Sequence, residues 1–323
     1  MQGLMIEKAR QYLESGRADR VLAWEQGENG WDRVPAVLDA ARIDALRYDG
    51  FCGANLSKML IAESQKEGAV LAFLKPCDTY SYNQLCTEHR VDPEKVHVVG
   101  VGCRGKIDVE KIRALGVKGI LEITEDGETL HVHTLYGDKD VPRRDVLLLK
   151  CLCCKGKTHV AGEAFIGESE DTTEGDKFDM VRRLEGMTED ERFAFWRSEL
   201  SKCIRCNACR NVCPACSCIK CVFDNPNTGV QNKAAADDFE ENLFHIIRAF
   251  HVAGRCTDCG ECSRVCPQGI PLHLLNRKFI KDIDALYGDY QAGAEIGQRH
   301  PLENFDKGDC EPADAQKRGG AAK

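Results

Sequence analysis

Eight cysteines in two short runs are the residues of this chain best suited to bind a metal cofactor. The first run reads C-x₂-C-x₂-C-x₃-C and is followed by a proline: Cys203, Cys206, Cys209, Cys213 and Pro214. The second run repeats that spacing and the proline: Cys256, Cys259, Cys262, Cys266 and Pro267. In such runs three closely spaced thiolates bind one [4Fe-4S] cubane, and the fourth binds the cubane of the other run.

The spacing therefore predicts two [4Fe-4S] clusters whose fourth ligands are exchanged. The first cluster is assigned to Cys203, Cys206, Cys209 and Cys266. The second cluster is assigned to Cys256, Cys259, Cys262 and Cys213. A zinc ribbon is the alternative, because C-x₂-C pairs also bind zinc. Zinc takes two such pairs and has no use for the third cysteine of each run, so the pattern favours the cubanes.

Basic residues flank both runs of cysteines. They are Lys202, Arg205, Arg210, Arg255 and Arg264. A cubane bound by four thiolates is anionic, so nearby cations stabilise it and tune its reduction potential. We therefore expect these five side chains to act on the clusters.

The composition is that of a globular protein with room for two domains. Hydrophobic residues make up 43% and charged residues 30% of 323 positions, and no apolar run approaches the length of a membrane span. The charged start, MQGLMIEKARQYLESGRADR, lacks a signal-peptide apolar region, which predicts a cytosolic protein. There, 19 cysteines indicate metal ligands or redox chemistry, not disulfides. The net charge of −8 argues against a nucleic-acid partner.

The first half alternates apolar strand-length runs with helical patterns. Residues 69–74 and 95–102 are continuous apolar runs, each followed by a helical segment, and Asp126-Gly127 marks a hairpin turn. This alternation predicts an α/β domain with a mostly parallel sheet over residues 1–166.

The second half is predicted to be helical. An acidic stretch within residues 167–184 reads as a linker, and an all-α, ferredoxin-like domain follows over 185–300. Thr188 and Glu191 form a capping box ahead of its first helix. A later helix has its apolar residues spaced for one face: Phe239, Leu243, Ile246, Ile247 and Phe250. Residues 301–323 are predicted to be a flexible tail.

With these motifs in place, the chain resembles a known family. The segments KCIRCNACRNVCPACSCIKC and RAFHVAGRCTDCGECSRVCPQGIP are similar to bacterial relatives of the beta subunits of deazaflavin-coenzyme-reducing hydrogenases and formate dehydrogenases. In the first half, LKPCDTYSYNQL, VVGVGCRG and CLCCKG with AFIGE follow the family's order. The resemblance covers most of residues 50–300.

The resemblance implies an electron-transfer role in an anaerobic complex. Members pass electrons between a catalytic subunit and a carrier or flavoprotein, and some accompany heterodisulfide-reductase-like proteins. The first hypothesis is thus an iron–sulfur subunit that relays electrons between a catalytic subunit and a flavoprotein or heterodisulfide-reductase-like partner. The alternative is a subunit that binds FAD and transfers hydride to or from a nicotinamide or deazaflavin. A bound flavin would be visible by its absorbance.

Four cysteines of the first half match the family's motif positions. They are Cys77, Cys103, Cys151 and Cys154. Each follows a predicted buried strand (69–74, 95–102 and a run at 146–149), and the carboxyl ends of parallel strands meet at one edge of a sheet. We therefore predict a third [4Fe-4S] cluster there, in which Cys153 can replace either neighbour. Ordinary buried thiols are the alternative, and packing is the role expected of Cys52 and Cys86.

Two further motifs are harder to interpret. Cys216, Cys218 and Cys221 crowd behind the first run without an evident fourth partner, since Cys310 lies in the predicted tail; an accessory role near the first cluster is expected. Gly100, Gly102 and Gly105 spell G-x-G-x-x-G after a strand, the pattern of a dinucleotide site. Cys103 interrupts that loop and the following helix begins late, which argues against nucleotide.

Overall fold

The computed structural model describes residues 1–154, 158–227, 229–233 and 237–303. The chain forms two compact units. The N-terminal unit comprises residues 1–82 and 89–175, and the C-terminal unit comprises residues 83–88 and those from 176 onward. The predicted tail from 304 and Cys310 lie outside the described residues.

The N-terminal unit contains two β-sheets. Its strands are β1 (Arg20–Gln26), β2 (Arg33–Leu38), β3 (Val70–Leu74), β4 (Val96–Val101), β5 (Ile120–Asp126), β6 (Thr129–Thr134), β7 (Lys139–Pro142) and β8 (Ala164–Ile166). The larger sheet has the order β2-β1-β3-β4-β8. Its β1–β3, β3–β4 and β4–β8 pairs are parallel, and β2 pairs antiparallel with β1 at the edge. The smaller sheet, β5-β6-β7, is antiparallel.

The prediction of a mostly parallel sheet therefore holds for the larger sheet only, and the N-terminal unit as a whole is mixed. All five residues of β3 are buried, as expected of a central strand covered on both faces. The hairpin predicted at Asp126-Gly127 joins β5 to β6. It packs with the helix that follows β4 around a separate apolar cluster that includes Ile112, Leu130 and Val132.

Five α-helices lie in or begin in the N-terminal unit. They are α1 (Gln2–Glu14), α2 (Leu60–Glu63), α3 (Pro76–Thr87), α4 (Val109–Ala114) and α5 (Leu149–Leu152). Helix α1 buries Met5, Ala9 and Tyr12, which share one face at helical spacing. Helix α3 begins directly after β3, and α4 begins at Asp108, whose carboxylate accepts a hydrogen bond from the Glu110 amide at 3.0 Å.

The structure corrects the sequence prediction at two places in this unit. The run at 146–149 was predicted to be a strand, but a 3₁₀ turn ends at Val146 and α5 begins at Leu149. Short apolar runs fit either structure, and periodicity cannot separate them. Strand β8 was not predicted, because three residues with Phe165 largely exposed give no alternating pattern.

Every regular element described in the C-terminal unit from residue 176 onward is helical. The α-helices are α6 (Asp179–Glu185), α7 (Glu189–Ser201), α8 (Ala208–Val212), α9 (Asp238–His251), α10 (Glu261–Arg264) and α11 (His273–Tyr287). Helix α6 begins inside the predicted linker and ends one residue beyond it. The capping box forms at α7, where the Thr188 hydroxyl accepts from the Glu191 amide at 3.3 Å and the Glu191 carboxylate accepts from the Thr188 amide at 2.9 Å.

Helix α9 buries its polar face. Its apolar residues do share one side, but Phe239 and Phe250 are 75% and 57% exposed. The buried side chains include Glu241, His245 and Arg248. Burial of charged groups in place of available apolar ones needs a polar or charged neighbour inside the unit. None of the described helices is both long and apolar enough to cross a membrane.

Candidate metal centres

The two cysteine runs fold into loops of the same conformation. In the first loop, Arg205 and Asn207 have positive φ angles of 53° and 60°. In the second loop, Asp258 and Gly260 occupy the equivalent positions with 54° and 69°. Three of these four residues are not glycine, and such residues adopt this conformation only where the surroundings fix it. The repeat in sequence is therefore also a repeat in backbone conformation.

Both loops direct a backbone N–H at the sulfur of their first cysteine. The Arg205 amide donates to Cys203 Sγ at 3.3 Å. The Asp258 amide donates to Cys256, and this hydrogen bond lowers the pKa of that thiol against the larger, opposite effect of burial. Hydrogen bonds to sulfur stabilise the thiolate form, which is the form that binds iron. A short helix then carries the third cysteine of each run, Cys209 on α8 and Cys262 on α10.

The first predicted ligand set lines one cavity. Cys203, Cys206, Cys209 and Cys266 all border a space of about 340 Å³, a volume that includes open solvent. Ile270 and Leu272 also line this cavity, as do Phe244 and His245 of α9. Cys206 is exposed, while Cys209 is buried. Residues distant in sequence thus meet at one cavity with four thiols on its walls.

The second predicted ligand set is also gathered. Cys213 packs with Cys256 and Val252 in one buried cluster. Cys262 lies near enough to Cys213 and Cys259 for their charges to raise its pKa, which burial first of all raises to about 12. Cys256 is affected by Cys213 and Cys259 in the same way. The fourth cysteine of the first run therefore lies among the thiols of the second run.

A buried ion pair anchors each loop to a helix. Arg205 has a side chain 1% exposed and lies 3.3 Å from a carboxylate oxygen of Glu240 and 3.2 Å from one of Glu241, both on α9. Asp258 occupies the equivalent position of the second loop and pairs with Arg277 of α11 at 2.9 Å. The loop residue that pairs with a helix is a cation in the first loop and an anion in the second loop.

The cations predicted to act on the clusters are all paired with carboxylates. Besides Arg205, the pairs are Lys202–Glu199, Arg210–Asp224, Arg255–Glu88 and Arg264–Glu261. Pairing with a carboxylate largely cancels the field of a cation at a distance. The pKa of the Cys203 thiol is raised first of all by burial, and the charge of Arg205 lowers it. The expectation that these five residues act on the clusters therefore stays a prediction.

The sequence analysis did not identify Arg248 as a cation near the cysteine runs. Arg248 of α9 is 1% exposed, and no described residue offers a hydrogen-bond acceptor to its Nε, Nη1 or Nη2. Both ring nitrogens of His245, one turn earlier, are likewise buried without a described partner. The available signal was the spacing of Glu241, His245 and Arg248, which places three polar residues on one stripe of an otherwise amphipathic helix.

The four cysteines predicted to bind a third cluster lie in the N-terminal unit. Leu74 pairs with Gly100 in neighbouring parallel strands, and Cys77 and Cys103 each lie three residues after that pair along the chain. Cys151 lies on α5, and the charges of Cys103 and Cys154 help to raise its pKa, which burial mainly raises to about 11. Cys154 acts on Cys77 in the same direction. Cys153 is half-buried beside them.

Three lysines contribute to the surroundings of these thiols, two through their charge and one through its backbone amide. Lys75, 1% exposed, donates to the Ala54 carbonyl at 2.6 Å and lies 2.9 Å from the Asp78 carboxylate. Lys106 and Lys150 donate to the carbonyls of Asp49 and Gly53, each at 2.8 Å. The Lys106 amide donates to Cys151 Sγ at 3.3 Å. The site therefore combines thiols, cations and a backbone donor, which suits an anionic cluster.

The remaining cysteines are dispersed. Cys216 packs against Cys213 and Cys256, so it lies with the second ligand set and not with the first, where an accessory role was expected. Cys218 is exposed, and Cys221 contacts Arg210. Cys52 and Cys86 are buried. A compact three-ligand group among the described residues is formed by Cys203, Glu241 and His245, which shares Cys203 with the first set.

The G-x-G-x-x-G segment has a packing explanation. A Cβ atom on Gly102 would lie 2.3 Å from the Glu168 carbonyl oxygen, so only glycine permits the 167–168 backbone to pass. A Cβ atom on Gly100 would meet the ring of Phe165. These glycines serve the contact between β4 and the segment of β8, which accounts for the motif without a nucleotide.

Comparison with known proteins adds a separate line of support. Residues 199–270 match the family of the 4Fe-4S dicluster domain. The chain is 22% identical to the F420-dependent formate dehydrogenase subunit beta of Methanocaldococcus jannaschii, over 85% of its own length and 87% of that protein. It is 23% identical to F420-dependent formate dehydrogenase 1 subunit beta of Methanococcus maripaludis, over 67% of its length and 73% of that protein.

One solved structure also aligns with the chain. It is a chain of the F420-reducing [NiFe] hydrogenase complex from Methanosarcina barkeri, with a TM-score of 0.37, 16% identity, and coverage of 53% of this chain and 64% of that chain. The formate dehydrogenase relatives extend over both units, not the cysteine runs alone. The resemblance to formate dehydrogenase beta subunits predicted from the motifs is therefore confirmed, together with a 4Fe-4S dicluster domain in the second half.

Proposed function

We propose that this chain is an iron–sulfur electron-transfer subunit of an oxidoreductase complex. It relays electrons between a dehydrogenase- or hydrogenase-type catalytic subunit and a flavoprotein or heterodisulfide-reductase-like partner. One observation carries the proposal: two sets of four cysteines meet within the segment that matches a 4Fe-4S dicluster domain. The curated relatives of this chain are named as beta subunits of formate dehydrogenases, and hence as parts of larger assemblies.

Within this proposal the ligand sets are those with exchanged fourth cysteines. Cys203, Cys206, Cys209 and Cys266 hold the first cluster, which is supported by the cavity that all four line. Cys256, Cys259, Cys262 and Cys213 hold the second, which is supported by the packing of Cys213 against Cys256. Each [4Fe-4S] cluster supplies one-electron chemistry at a potential set by its surroundings. Exposed Cys206 marks the side at which a partner can approach.

A third cluster belongs to the same proposal. Cys77, Cys103, Cys151 and Cys154 are its ligands, and Cys153 is the substitute for either neighbour. The mutual effects of Cys103 and Cys154 on Cys151, and of Cys154 on Cys77, support their proximity. Lys75 and Lys150 lower the pKa of Cys77 against the larger effects of burial and of Asp78, which favours an anionic group at this point. This cluster gives the N-terminal unit a redox role of its own.

A second candidate function adds FAD and hydride transfer. The names of the two relatives state that those enzymes depend on F420, a deazaflavin that carries hydride. Exchange between a hydride carrier and one-electron clusters requires a cofactor that handles both, and a flavin does so. A flavin-bearing N-terminal unit would then act on a deazaflavin or nicotinamide. The cellular setting proposed for both functions is a cytoplasmic, anaerobic complex.

Anaerobic purification of the full chain with quantitation of iron, sulfide and flavin tests both functions. We expect about eight irons per chain from two clusters and about twelve from three. Replacing Cys209 by alanine should remove about four irons, whereas the matched control, replacement of buried Cys86, should remove none. Flavin absorbance in the purified protein would favour the second candidate. A chain that binds zinc in place of iron and sulfide would overturn the proposal.

The partner proposal has a separate experiment. The chain should co-purify from anaerobic cells with a metal- or flavin-containing oxidoreductase, identified by mass spectrometry of the intact assembly. Cluster reduction by the partner's substrate, followed by visible absorbance, should depend on the partner being present. An isolated monomer that turns over a small substrate by itself would contradict the role of electron-transfer subunit.

A further inference from the structure

One stripe of α9 runs past both predicted ligand sets. His245 lines the cavity of Cys203, Cys206, Cys209 and Cys266. Val252, seven residues later and directly after the last residue of α9, packs in one cluster with Cys213 and Cys256 of the second set. The rise of an α-helix makes this separation about 10 Å along the axis. Arg248 lies on the same stripe between these two residues, so its side chain is positioned between the two sets.

The sulfurs of both sets act on this guanidinium. The thiols that raise the pKa of Arg248, against an opposing effect of burial that is the largest single influence, are Cys262, Cys209, Cys213 and Cys216. Cys209 belongs to the first set, and Cys213 and Cys262 belong to the second. In return, Arg248 lowers the pKa of Cys209 and of Cys262 against the larger effect of their burial. Thiols of both sets therefore act on Arg248, and Arg248 acts on a thiol of each set.

The guanidinium needs an anion that the described residues do not supply. Its three nitrogens are inaccessible to solvent and have no described acceptor. The nearest carboxylates of the same helix, Glu240 and Glu241, pair with Arg205. A buried, uncompensated guanidinium is strongly destabilising, because it loses its hydration without a replacement. Two anionic clusters on either side would provide that replacement.

We propose that Arg248 is a hydrogen-bond donor shared by the two [4Fe-4S] clusters and that it raises the reduction potential of each. The inference rests on the cluster ligation proposed above. Arginine has five N–H donors in a planar fork, so one side chain can donate in two directions. When a cluster gains one electron it gains one negative charge and no bond is broken. A fixed cation therefore stabilises the reduced form more than the oxidised form.

Potentiometric titration of the full-length holoprotein tests this inference, with EPR detection of the reduced clusters. In Arg248→Gln we expect the ratio of reduced to oxidised cluster at a fixed potential to fall about tenfold for both C-terminal clusters. For a one-electron couple this is a shift of about 59 mV to more negative values. Arg248→Lys keeps the charge but loses the fork, and it should shift one cluster more than the other.

The control is Arg197→Gln. Arg197 of α7 is exposed and pairs at 2.6 Å with Asp238 in the first turn of α9. Its loss therefore removes one positive charge from the unit without changing the stripe of α9 that contains His245 and Arg248. Its potentials should equal those of the wild type. Unchanged potentials in Arg248→Gln, with iron content intact, would overturn the inference. Absence of two cubane signals in the wild type would instead overturn the ligation on which it rests.

A measurement on the unaltered chain covers the case in which Arg248→Gln fails to hold its clusters. Protein labelled with ¹⁵N in the arginine guanidinium is reduced and studied by pulsed EPR. A ¹⁵N coupling to both clusters that disappears in Arg248→Lys supports the shared donor. Because Arg248 is the guanidinium between the two sets, the lack of any coupling in the wild type would overturn the inference whatever the variants do.

Discussion

The two cysteine sites of this protein are built in opposite ways. In the C-terminal unit, the proposed ligands come from two local runs with the same loop conformation, and the buried polar groups beside them, Arg248 and His245, have no described hydrogen-bond partner. In the N-terminal unit, the proposed ligands come from positions just after β3 and β4 and from α5 and the residues that follow it, and Lys75, Lys106 and Lys150 donate to backbone carbonyls of residues 49–54. The lysines of the N-terminal site are thus hydrogen-bonded by the protein, whereas Arg248 and His245 of the C-terminal site have no described hydrogen-bond acceptor or donor.

This difference indicates where each unit obtains its stability. A unit whose buried cations are hydrogen-bonded by its own backbone can keep its fold without a cofactor. A unit that buries an uncompensated guanidinium among thiols depends on the metal group for its fold, because binding free energy then becomes folding free energy. We therefore expect the C-terminal unit, and not the N-terminal unit, to be coupled to iron.

Removal of iron is the strongest way to break this comparison. After anaerobic chelation, amide exchange in α9 should become faster by about tenfold or more, since Arg248 is left buried without an anion. Strands β3 and β4 should keep their protection. Hydrogen–deuterium exchange with mass spectrometry of the full chain measures both at once. Equal loss of protection in the two units would show that the proposed difference does not exist.

Replacing Cys213 by alanine sharpens the comparison inside the C-terminal unit. Because Cys213 packs with Cys256, the EPR signal of the cluster held by Cys256, Cys259 and Cys262 should be lost or converted to a three-iron signal. The cluster held by Cys203, Cys206 and Cys209 should remain. Replacement of Cys218, which is exposed, is the matched control. Damage confined to the first cluster would mean that the ligands are not exchanged.

In the N-terminal unit, Lys75→Met should lower the free energy of unfolding by about 3–5 kcal/mol. The change leaves the Asp78 carboxylate, 0% exposed, without its cation and the Ala54 carbonyl without its donor. Denaturant unfolding of the chelated protein isolates this effect from any cluster. Lys66→Met is the control: that half-exposed lysine pairs with Glu63, and its loss should cost about 0–1 kcal/mol. Similar costs for the two variants would refute the importance of the buried pair.

The smallest expected effect concerns an ordinary surface contact of the C-terminal unit. Glu185 lies 2.9 Å from both Lys278 and Lys281. Burial raises the pKa of Glu185, whereas the two lysines lower it. The combined effect of the lysines is the larger, so the folded pKa is below the unfolded value. Its stabilising effect is thus present above the unfolded pKa and is lost as the pH falls through the folded pKa.

Glu185→Gln should therefore reduce stability by about 0.2–1 kcal/mol at neutral pH and by less in acid. Thermal unfolding of the iron-loaded protein across that pH range measures the difference. Arg197→Gln breaks another exposed pair of the same unit and provides the comparison. A loss as large as that caused by removal of iron would mean that surface ion pairs, not the metal, hold this unit together.

The sequence was sufficient wherever spacing alone determines the structure. The two runs predicted loops that do adopt the same conformation, and continuous apolar runs located β3 and β4. The structure adds that these two strands are neighbours, while the third cluster predicted beyond their ends stays a prediction. Three-residue β8 and the turn before α5 did not, since short segments take their structure from tertiary contacts.

Helix α9 is the instructive failure. Its apolar residues were recognised, but an amphipathic pattern indicates a buried apolar face only when the interior is apolar. Here the interior beside the helix contains cysteines, and the polar stripe of Glu241, His245 and Arg248 faces inward. Five cations were predicted to act on the clusters because they lie next to the cysteine runs in sequence. The sequence did not show that a carboxylate pairs with each of them. Hydropathy cannot describe a core that is organised around thiols.

The cavity of the first ligand set also has a consequence in time. Its walls come from residues 203–209 and from residues 266–272, which lie far apart in the chain. A ribosome releases the first segment well before the second, so three thiols emerge without their fourth partner. Closing that long loop is a nonlocal and therefore slow step. Within the proposed ligation the second cubane cannot be completed before Cys262 has been synthesised, and the first cannot be completed before Cys266 has been synthesised.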